Sequence, residues 1–298
     1  MRVLIGYDGS AGAAQAVALA EGIDWPAGAM LRVVSVMEPT AIQLLPWSPG
    51  IADSPGIEED ARAYIEADLA TVVDRLAGPD RIVDAALLRD RPASALIDQV
   101  REFSADLVIV GSRGHGSIAS LLLGSVSAEV VDHAPCPILV ARRSTLARIV
   151  FATDGSETAA AAEDILARWP IFAGLPIRVV SVADVGRPWT TGIAPTMYTQ
   201  VLDAYAKDVA EAEAEHLAIA RGSARRLVDA GRRAEASMVR GDAAAEIIVV
   251  AQESGADLVV VGSRGQTGLK RIVLGSVARN VLAGGDASVL IVHGPADN

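Results

Sequence analysis

The chain carries one glycine-spaced pattern twice, and this repeat limits the possible fold more than any other feature of the sequence. Residues 111–127, GSRGHGSIASLLLGSVS, contain Gly-x2-Gly, nine further residues and Gly-Ser, and residues 262–278, GSRGQTGLKRIVLGSVA, repeat that spacing 151 positions later. Self-similarity at a fixed period shows how often one structural unit is built. Because 298 residues suffice for two domains of about 150 residues, we expect two like domains, at 1–143 and 148–294.

Shorter matches extend the repeat along both halves. DGS recurs at 8–10 and 154–156, RVVSV at 32–36 and 178–182, and ADLV at 105–108 and 256–259. The offset grows from 146 to 151, so we expect a five-residue insertion around residues 184–232. The halves meet near residues 142–148, and because this connection is short we expect the halves to pack against each other.

Short β-rich runs alternate with alanine-rich segments of helical length. In the first copy the predicted strands are residues 2–7, 30–36, 82–88, 106–111 and 137–142, and the predicted helices are residues 11–23, 57–77, 92–103 and 124–133. Strands that alternate with helices form a parallel, doubly wound sheet, and continuously apolar strands such as LVIVG fit a sheet covered on both faces. The predicted fold class is therefore α/β, with two tandem doubly wound, Rossmann-like, five-stranded parallel sheets.

Composition and charge exclude several classes of partner. A net charge of -11 repels phosphodiester backbones, and 4% aromatic residues leave few rings for base stacking, so nucleic acid is not expected. No apolar run approaches the roughly 18 residues of a membrane span, and the N-terminal run is too short for a signal peptide. We therefore expect no membrane contact and a cytoplasmic location. The single cysteine, Cys136 in APCPILVA, is interpreted as a small core residue.

Two features of each copy follow predicted strands, where doubly wound sheets bind their ligands. Asp8 and Asp154 follow the first strands, and glycine loops that begin at Gly111 and Gly262 follow the fourth strands. If the first and fourth strands are neighbours, each aspartate flanks a crevice together with the loop of its own copy. Asp-Gly-Ser before an alanine-rich helix is also good capping or turn chemistry. Both roles are open for the aspartates.

The glycine loop is suited to holding a bulky anion. Gly111 and Gly114 let the backbone approach a ligand closely, and Gly124-Ser125 opens the next helix, whose unpaired N–H groups and dipole favour phosphate oxygens. The second copy repeats these positions as Gly262, Gly265, Gly275 and Ser276. A Walker A loop is absent, because both lysines of the chain are followed by Asp or Arg rather than by Ser or Thr.

Polar side chains of the loops add candidate contacts to an anion. Arg113 and Arg264 are placed to neutralise phosphate charge, although a loop arginine is often only solvated. Ser125, Ser127 and Ser276 supply hydroxyl donors.

The two loops differ in ways that oppose each other. Ala278 stands where the first copy has Ser127, so the second loop lacks one hydroxyl. The second loop instead has Lys270 and Arg271 in its nine-residue spacer. The sequence therefore does not rank the two sites.

These features together resemble the universal stress protein family, in a form with two fused copies. The resemblance runs from Arg2 to about His293 and rests on the loop pattern, on the aspartate after the first strand, and on ADLVIVGSRG and APCPILV in their usual order. It implies sheets of strand order 3-2-1-4-5, with ATP, accompanied by Mg²⁺, held at the ends of the first and fourth strands. It also implies that residues 137–142 and 288–292 pair, antiparallel across an internal pseudo-two-fold axis.

Carried over residue by residue, the resemblance implies one ATP site in each copy. The adenine would lie near the end of the second strand, at Val36 or Val182. The first site contains Asp8, Val36, Gly111, Arg113, Gly114, Gly124, Ser125, Val126 and Ser127. The second site contains Asp154, Val182, Gly262, Arg264, Gly265, Gly275, Ser276 and Val277.

Candidate catalytic residues are few. Of the four histidines only His115 lies in a proposed binding loop, and no His-Asp or carboxylate pair at a defined spacing supplies a general base. We therefore expect an ATP-binding regulatory protein of the stress response. The alternatives are a slow Mg²⁺-dependent ATP hydrolase that uses Asp8 or Asp154, and an interaction protein that does not need nucleotide. The expected partners are ATP, the sister copy in an internal pseudo-dimer, a second chain in a homodimer and an unidentified protein.

Overall fold

The computed structural model describes residues 1–38, 56–114, 123–186, 195–265 and 274–294. The chain folds into two compact units. The first unit comprises Met1–Leu146 with Asp286–Asn298, and the second comprises Ala147–Gly285.

The first unit is built on a parallel sheet with one antiparallel strand added. Its strands are β1 Arg2–Gly6, β2 Ala29–Met37, β3 Arg81–Arg89, β4 Leu107–Gly111, β5 Ile138–Ala141 and β10 Ser288–Val292. The order β3-β2-β1-β4-β5-β10 contains the 3-2-1-4-5 arrangement that the resemblance implied. Val289 of β10 lies opposite Val140 of β5 in an antiparallel pair, which confirms the expected pairing of the two last strands.

The second unit repeats the first four strands of this arrangement. Its strands are β6 Ile149–Ala152, β7 Pro176–Ala183, β8 Arg233–Arg240 and β9 Leu258–Gly262. They are parallel and lie in the order β8-β7-β6-β9, which corresponds to β3-β2-β1-β4. The predicted fifth strand of this copy is β10, which packs as part of the first unit.

Each strand-to-strand crossover contains a helix, as the alternating pattern predicted. The helices of the first unit are α1 Ala11–Glu21, α2 Ile57–Leu76, α3 Pro92–Phe103 and α4 Ser125–His133. The helices of the second unit are α5 Glu157–Arg168, α6 Pro195–Asp229, α7 Ala243–Ser254 and α8 Ser276–Gly284, with a short 3-10 helix at Pro170–Phe172. α6 has 35 residues against 20 in α2, and it lies in the stretch where the insertion was expected.

The strand order puts the ends of the first and fourth strands of each copy side by side. β1 pairs with β4 through Ile5 and Ile109, and β6 pairs with β9 through Phe151 and Val260. Every residue of β4 is buried, as expected for a strand covered on both faces. The condition for a crevice between the aspartate turn and the glycine loop is therefore met in both units.

Cys136 lies in the core of the first unit, as the sequence predicted. It is 8% exposed. Burial raises the pKa of its thiol to about 12, with a smaller contribution from Asp106. The thiol is therefore protonated near neutral pH and is a poor nucleophile.

Candidate functional site

The turn after the first strand of each unit is held by an aspartate and a serine. The Ser10 amide donates to Asp8 Oδ1 at 3.0 Å, and the Ser156 amide donates to Asp154 Oδ1 at 3.0 Å. The serines cap the following helices α1 and α5, because each Oγ accepts from the amide three residues further on. Each aspartate therefore forms the turn with one carboxylate oxygen, and the capping role belongs to the serine.

The same serines connect the turn to the glycine loop. Ser10 Oγ donates to the carbonyl of Arg113 at 3.2 Å, and Ser156 Oγ donates to the carbonyl of Arg264 at 3.3 Å. Residues 103 and 108 positions apart in the sequence are thereby joined at one edge of the sheet.

The second glycine of each loop lies against the aspartate carboxylate. A methyl group added at Gly114 would lie 2.6 Å from Asp8 Oδ2, and one added at Gly265 would lie 2.7 Å from Asp154 Oδ2. No side chain fits there without displacing the carboxylate. The structure thus brings together the aspartate and the glycine that the sequence assigned to each site.

The first glycine of each loop serves the packing of a helix on a strand. A methyl group at Gly111 would lie within 2.7 Å of the Ala13 amide nitrogen and closer still to the backbone of Gly12. A methyl group at Gly262 would overlap Thr158, the residue that stands at the position of Gly12 in the second copy. From the sequence, these glycines are predicted to allow the close approach of a ligand. In the structure the close approach is between α1 and β4, and between α5 and β9.

The last glycine of each loop starts a helix. Gly124 N donates to Ser112 O at 2.9 Å, and Gly275 N donates to Ser263 O at 2.7 Å, so both ends of each loop are held together. Gly124 and Gly275 are the N-caps of α4 and α8, and neither helix has a side-chain cap. Their first amides are therefore left for other acceptors. Three loop residues weighed in the sequence lie outside the described residues: His115, Lys270 and Arg271.

The serines of the two loops have different surroundings. Ser127 is buried and donates its hydroxyl to the carbonyl of Gly111 at 2.7 Å, so its proton is used within the protein. Ser125 and Ser276 are exposed at the first turn of their helices. Ala278 is buried where Ser127 stands in the first unit. Ala278 therefore lacks a hydroxyl that, in Ser127, donates to the backbone of the first loop.

The second unit contains a cavity of about 420 Å³ at this edge of its sheet. This volume lies within the roughly 300–1,000 Å³ of small-molecule sites. Its walls include every residue that the sequence assigned to the second site: Asp154, Val182, Gly262, Arg264, Gly265, Gly275, Ser276 and Val277. The turn after β6, the end of β7, the glycine loop and the start of α8 are far apart in the sequence, and they line one cavity.

One end of this cavity carries hydrogen-bond donors. The half-buried Arg264 lines this end. The uncapped start of α8 at Ser276 lies in the same wall. Because the first amides of α8 have no acceptor within the helix, this end is suited to a ligand that brings acceptor atoms, such as phosphate.

The other end of the cavity is mainly apolar, with one polar pair. Val180, Val182 and Ile247 line it, and His216 of α6 reaches it as well. His216 Nδ1 lies 2.8 Å from Ser181 Oγ. Sequence reasoning placed His216 outside the binding loops. The sequence feature that could have indicated a buried polar pair here is Ser181, which interrupts the apolar strand RVVSV.

The first unit has a different polar pair near the end of its first strand. Tyr7 and Thr153 hold equivalent positions, since their amides donate to Val34 and Val180 at 2.9 Å. Tyr7 Oη donates to Asp68 Oδ2 of α2 at 2.9 Å. Burial, and then this hydrogen bond, raise the pKa of Tyr7 to about 12.

Arginine side chains also differ between the units. Arg113 is exposed, whereas Arg264 is half-buried. The pKa of Arg142, which follows β5, is lowered chiefly by burial and then by the charge of Arg113. Two guanidinium groups therefore lie near each other in the first unit.

Val36 and Val126, the remaining residues assigned to the first site, are half-buried.

The described residues contain no group of three or more His, Cys, Asp or Glu side chains that could hold a metal ion. Among the helices described, none is both long and apolar enough to cross a membrane.

Comparison with known proteins gives consistent matches along the chain. A family model described as the universal stress protein family matches residues 1–142 and 145–293. A universal stress protein of Thermus aquaticus is 37% identical over 142 residues, which cover 47% of this chain and 97% of that protein. A universal stress protein of Mycolicibacterium smegmatis is 28% identical over 305 residues, with coverage of 98% and 96%. The crystal structure of a universal stress protein from Archaeoglobus fulgidus covers 100% of this chain and 97% of its own, with a TM-score of 0.67 and 17% identity, which is a likeness of fold.

Proposed function

Because this chain belongs to the universal stress protein family, we propose that it is an ATP-binding regulatory protein with one nucleotide site in each unit. The observation that carries the proposal is the cavity of the second unit, whose walls contain the complete set of residues assigned to the second site. The first unit has the same turn, the same loop closure and the same uncapped helix start.

In the second site the triphosphate lies at the glycine loop. The amides at the start of α8 bind its oxygens, and the guanidinium of Arg264 offsets part of its charge. Bound Mg²⁺ would supply further neutralisation of the phosphates, and Asp154, whose carboxylate lies against Gly265, would be a candidate ligand for it. The nucleoside lies toward Val180 and Val182, at the apolar end.

ATP acts in this proposal as a bound signal, and its hydrolysis is slow or absent. Backbone amides and a guanidinium stabilise the phosphates of the ground state without activating a water molecule. One oxygen of Asp154 is already used in the turn with Ser156. The bound form is then recognised by a protein partner.

Calorimetric titration of the full chain with Mg-ATP tests the sites. The wild-type chain is expected to bind two ATP molecules, and Gly124→Val and Gly275→Val are each expected to bind one, because each substitution fills the cradle of one unit. Gly186→Val is the matched control, since a methyl group there meets no heavy atom of the described residues within 4 Å, and it should retain both sites. Unchanged stoichiometry in both loop variants contradicts the assigned residues. Absence of ATP binding by the wild type would favour the nucleotide-independent interaction protein.

Thermal unfolding and ATP turnover measurements distinguish a protein that binds ATP as a signal from one that hydrolyses ATP. ATP at a hundredfold excess over Kd should stabilise each unit by about 2.7 kcal/mol, and a non-hydrolysable analogue should give most of the same shift. Steady turnover of about 1 per second or faster, abolished by Asp8→Ala with Asp154→Ala, would instead establish the hydrolase.

A further inference from the structure

The wall of the cavity in the second unit includes an imidazole, His216, that is not part of the glycine-loop pattern. His216 comes from α6, whereas the predicted residues come from strand ends, the aspartate turn, the glycine loop and α8. Neither the turn nor the loop closure involves it. The proposed phosphate contacts also leave it without a role.

The strand order places His216 at the nucleoside end of this cavity. The glycine loop follows β9, and the hydrogen-bond partner of His216, Ser181, lies in β7, with β6 between the two strands. Neighbouring strands are about 5 Å apart, so the two ends of the cavity are separated by about 10 Å. A ligand with its phosphates on the loop of β9 therefore directs its other end toward β7.

The imidazole is held in a fixed orientation. Its Nδ1 lies 2.8 Å from Ser181 Oγ, and Ser181 is 1% exposed, so water does not compete for this bond. Nδ1 is thereby committed to the protein. Nε2 has no hydrogen-bond partner among the described residues, and the ring lines the cavity.

We propose that His216 is a specificity-determining residue of the second site, where Nε2 hydrogen-bonds the nucleoside part of the bound nucleotide and Ser181 acts as its positioning residue. This inference rests on the proposed function and extends it. It predicts that the second site selects a nucleoside triphosphate over an inorganic polyphosphate of equal charge. The hydroxyls of the ribose and the edge of the base are the groups that an imidazole nitrogen can bind.

The first unit provides an internal comparison. Its corresponding long helix, α2, supplies the carboxylate Asp68, which accepts the hydroxyl of Tyr7. The hydrogen bond of the first unit thus joins a tyrosine to a carboxylate, whereas His216 lines the cavity of the second unit. A change at His216 should therefore affect the second site and leave the first unchanged.

Calorimetry with two probes, Mg-ATP and inorganic tripolyphosphate, tests the proposal on the full chain. His216→Phe keeps a planar ring and removes both nitrogens. It is expected to weaken ATP binding at one of the two sites by about 3- to 10-fold, as for the loss of one hydrogen bond, with tripolyphosphate affinity changed less than about twofold. Ser181→Ala should weaken ATP binding in the same direction by a smaller factor. His133→Phe is the matched control, since His133 is an exposed histidine at the end of α4, and it should change neither affinity.

A double variant guards against a folding defect. His216→Phe leaves the buried Ser181 hydroxyl without its partner, whereas Ser181→Ala with His216→Phe removes both groups. The double variant should show the same loss of ATP affinity as His216→Phe. Unchanged ATP affinity in the double variant, or equal weakening of ATP and tripolyphosphate, would overturn the role of His216. Failure of the wild-type chain to bind ATP would contradict the proposed function itself.

Discussion

Replacing Gly111 by alanine should destabilise the first unit, although its place in the loop pattern marks it as a ligand residue. The added methyl carbon would lie 2.7 Å from the Ala13 amide nitrogen and closer to the backbone of Gly12, where ordinary contacts begin at 3.4 Å. The atoms in the way are backbone atoms at the start of α1. The overlap can therefore be relieved only if α1 moves away from β4.

The size of the effect follows from this geometry. Overpacking costs about 1–3 kcal/mol when neighbouring groups can adjust, and displaced backbone puts Gly111→Ala at the upper end of that range. The lower entropy of the unfolded alanine chain returns about 0.4–1 kcal/mol. The net loss in free energy of unfolding is about 2–3 kcal/mol. For a chain of this size it corresponds to a fall in Tm of about 4–12 °C.

The assay is thermal unfolding followed by circular dichroism without nucleotide. Gly124→Ala is the matched control, because its methyl group has its nearest neighbour, the Gly114 amide nitrogen, at 3.5 Å and the backbone φ is -68°. Gly124→Ala should cost no more than about 1 kcal/mol, from the poorer N-cap. A Gly111→Ala chain that melts within about 1 °C of the wild type would refute the packing argument.

Three other changes test groups away from the loops. Tyr7 in the folded chain should ionise near pH 12 rather than pH 10, so the stability it contributes is present below pH 10 and lost from about pH 10 to 12. Phenolate absorbance should show a component near pH 12 that is absent in Tyr7→Phe. Cys136 should react with a thiol reagent at neutral pH only after denaturant is added, and rapid labelling of the native chain would contradict its burial. Arg226→Met leaves the buried carboxylate of Glu163 without this partner and should cost about 1–3 kcal/mol. Arg168→Met breaks an exposed pair and should cost less than about 0.5 kcal/mol in urea unfolding.

The strands and helices could be predicted from the sequence because their signals are local. The predicted strand at 30–36 is observed as Ala29–Met37, and the predicted helix at 92–103 is observed as Pro92–Phe103. Continuous apolar runs bounded by turn residues define such segments within the reach of a few residues. The repeat then showed that every element would be built twice. The neighbouring positions of the aspartate turn and the glycine loop followed only from the strand order that the family resemblance implied.

The contacts that complete the site could not be predicted, because they join residues far apart in the sequence. Nothing local indicates that Gly111 packs on Gly12, or that Thr158 takes the corresponding place in the second unit. The serine of RVVSV is a local signal for a buried polar pair. It does not identify His216, 35 positions away, as the partner. Such pairs are decided by how α6 crosses β7, which depends on the packing of the whole unit.

The pairing of β5 with β10 has a consequence for synthesis on the ribosome. Val140 and Val289 are paired across the sheet, and about 150 residues of chain lie between them. At about 5–20 residues per second, the edge of β5 waits about 8–30 s for its partner strand to be made. All four residues of β5 are buried in the finished protein, so during that interval an apolar strand edge is open to neighbouring nascent chains. The order of translation, rather than the stability of the final fold, therefore sets the period in which this protein is most exposed to misassembly.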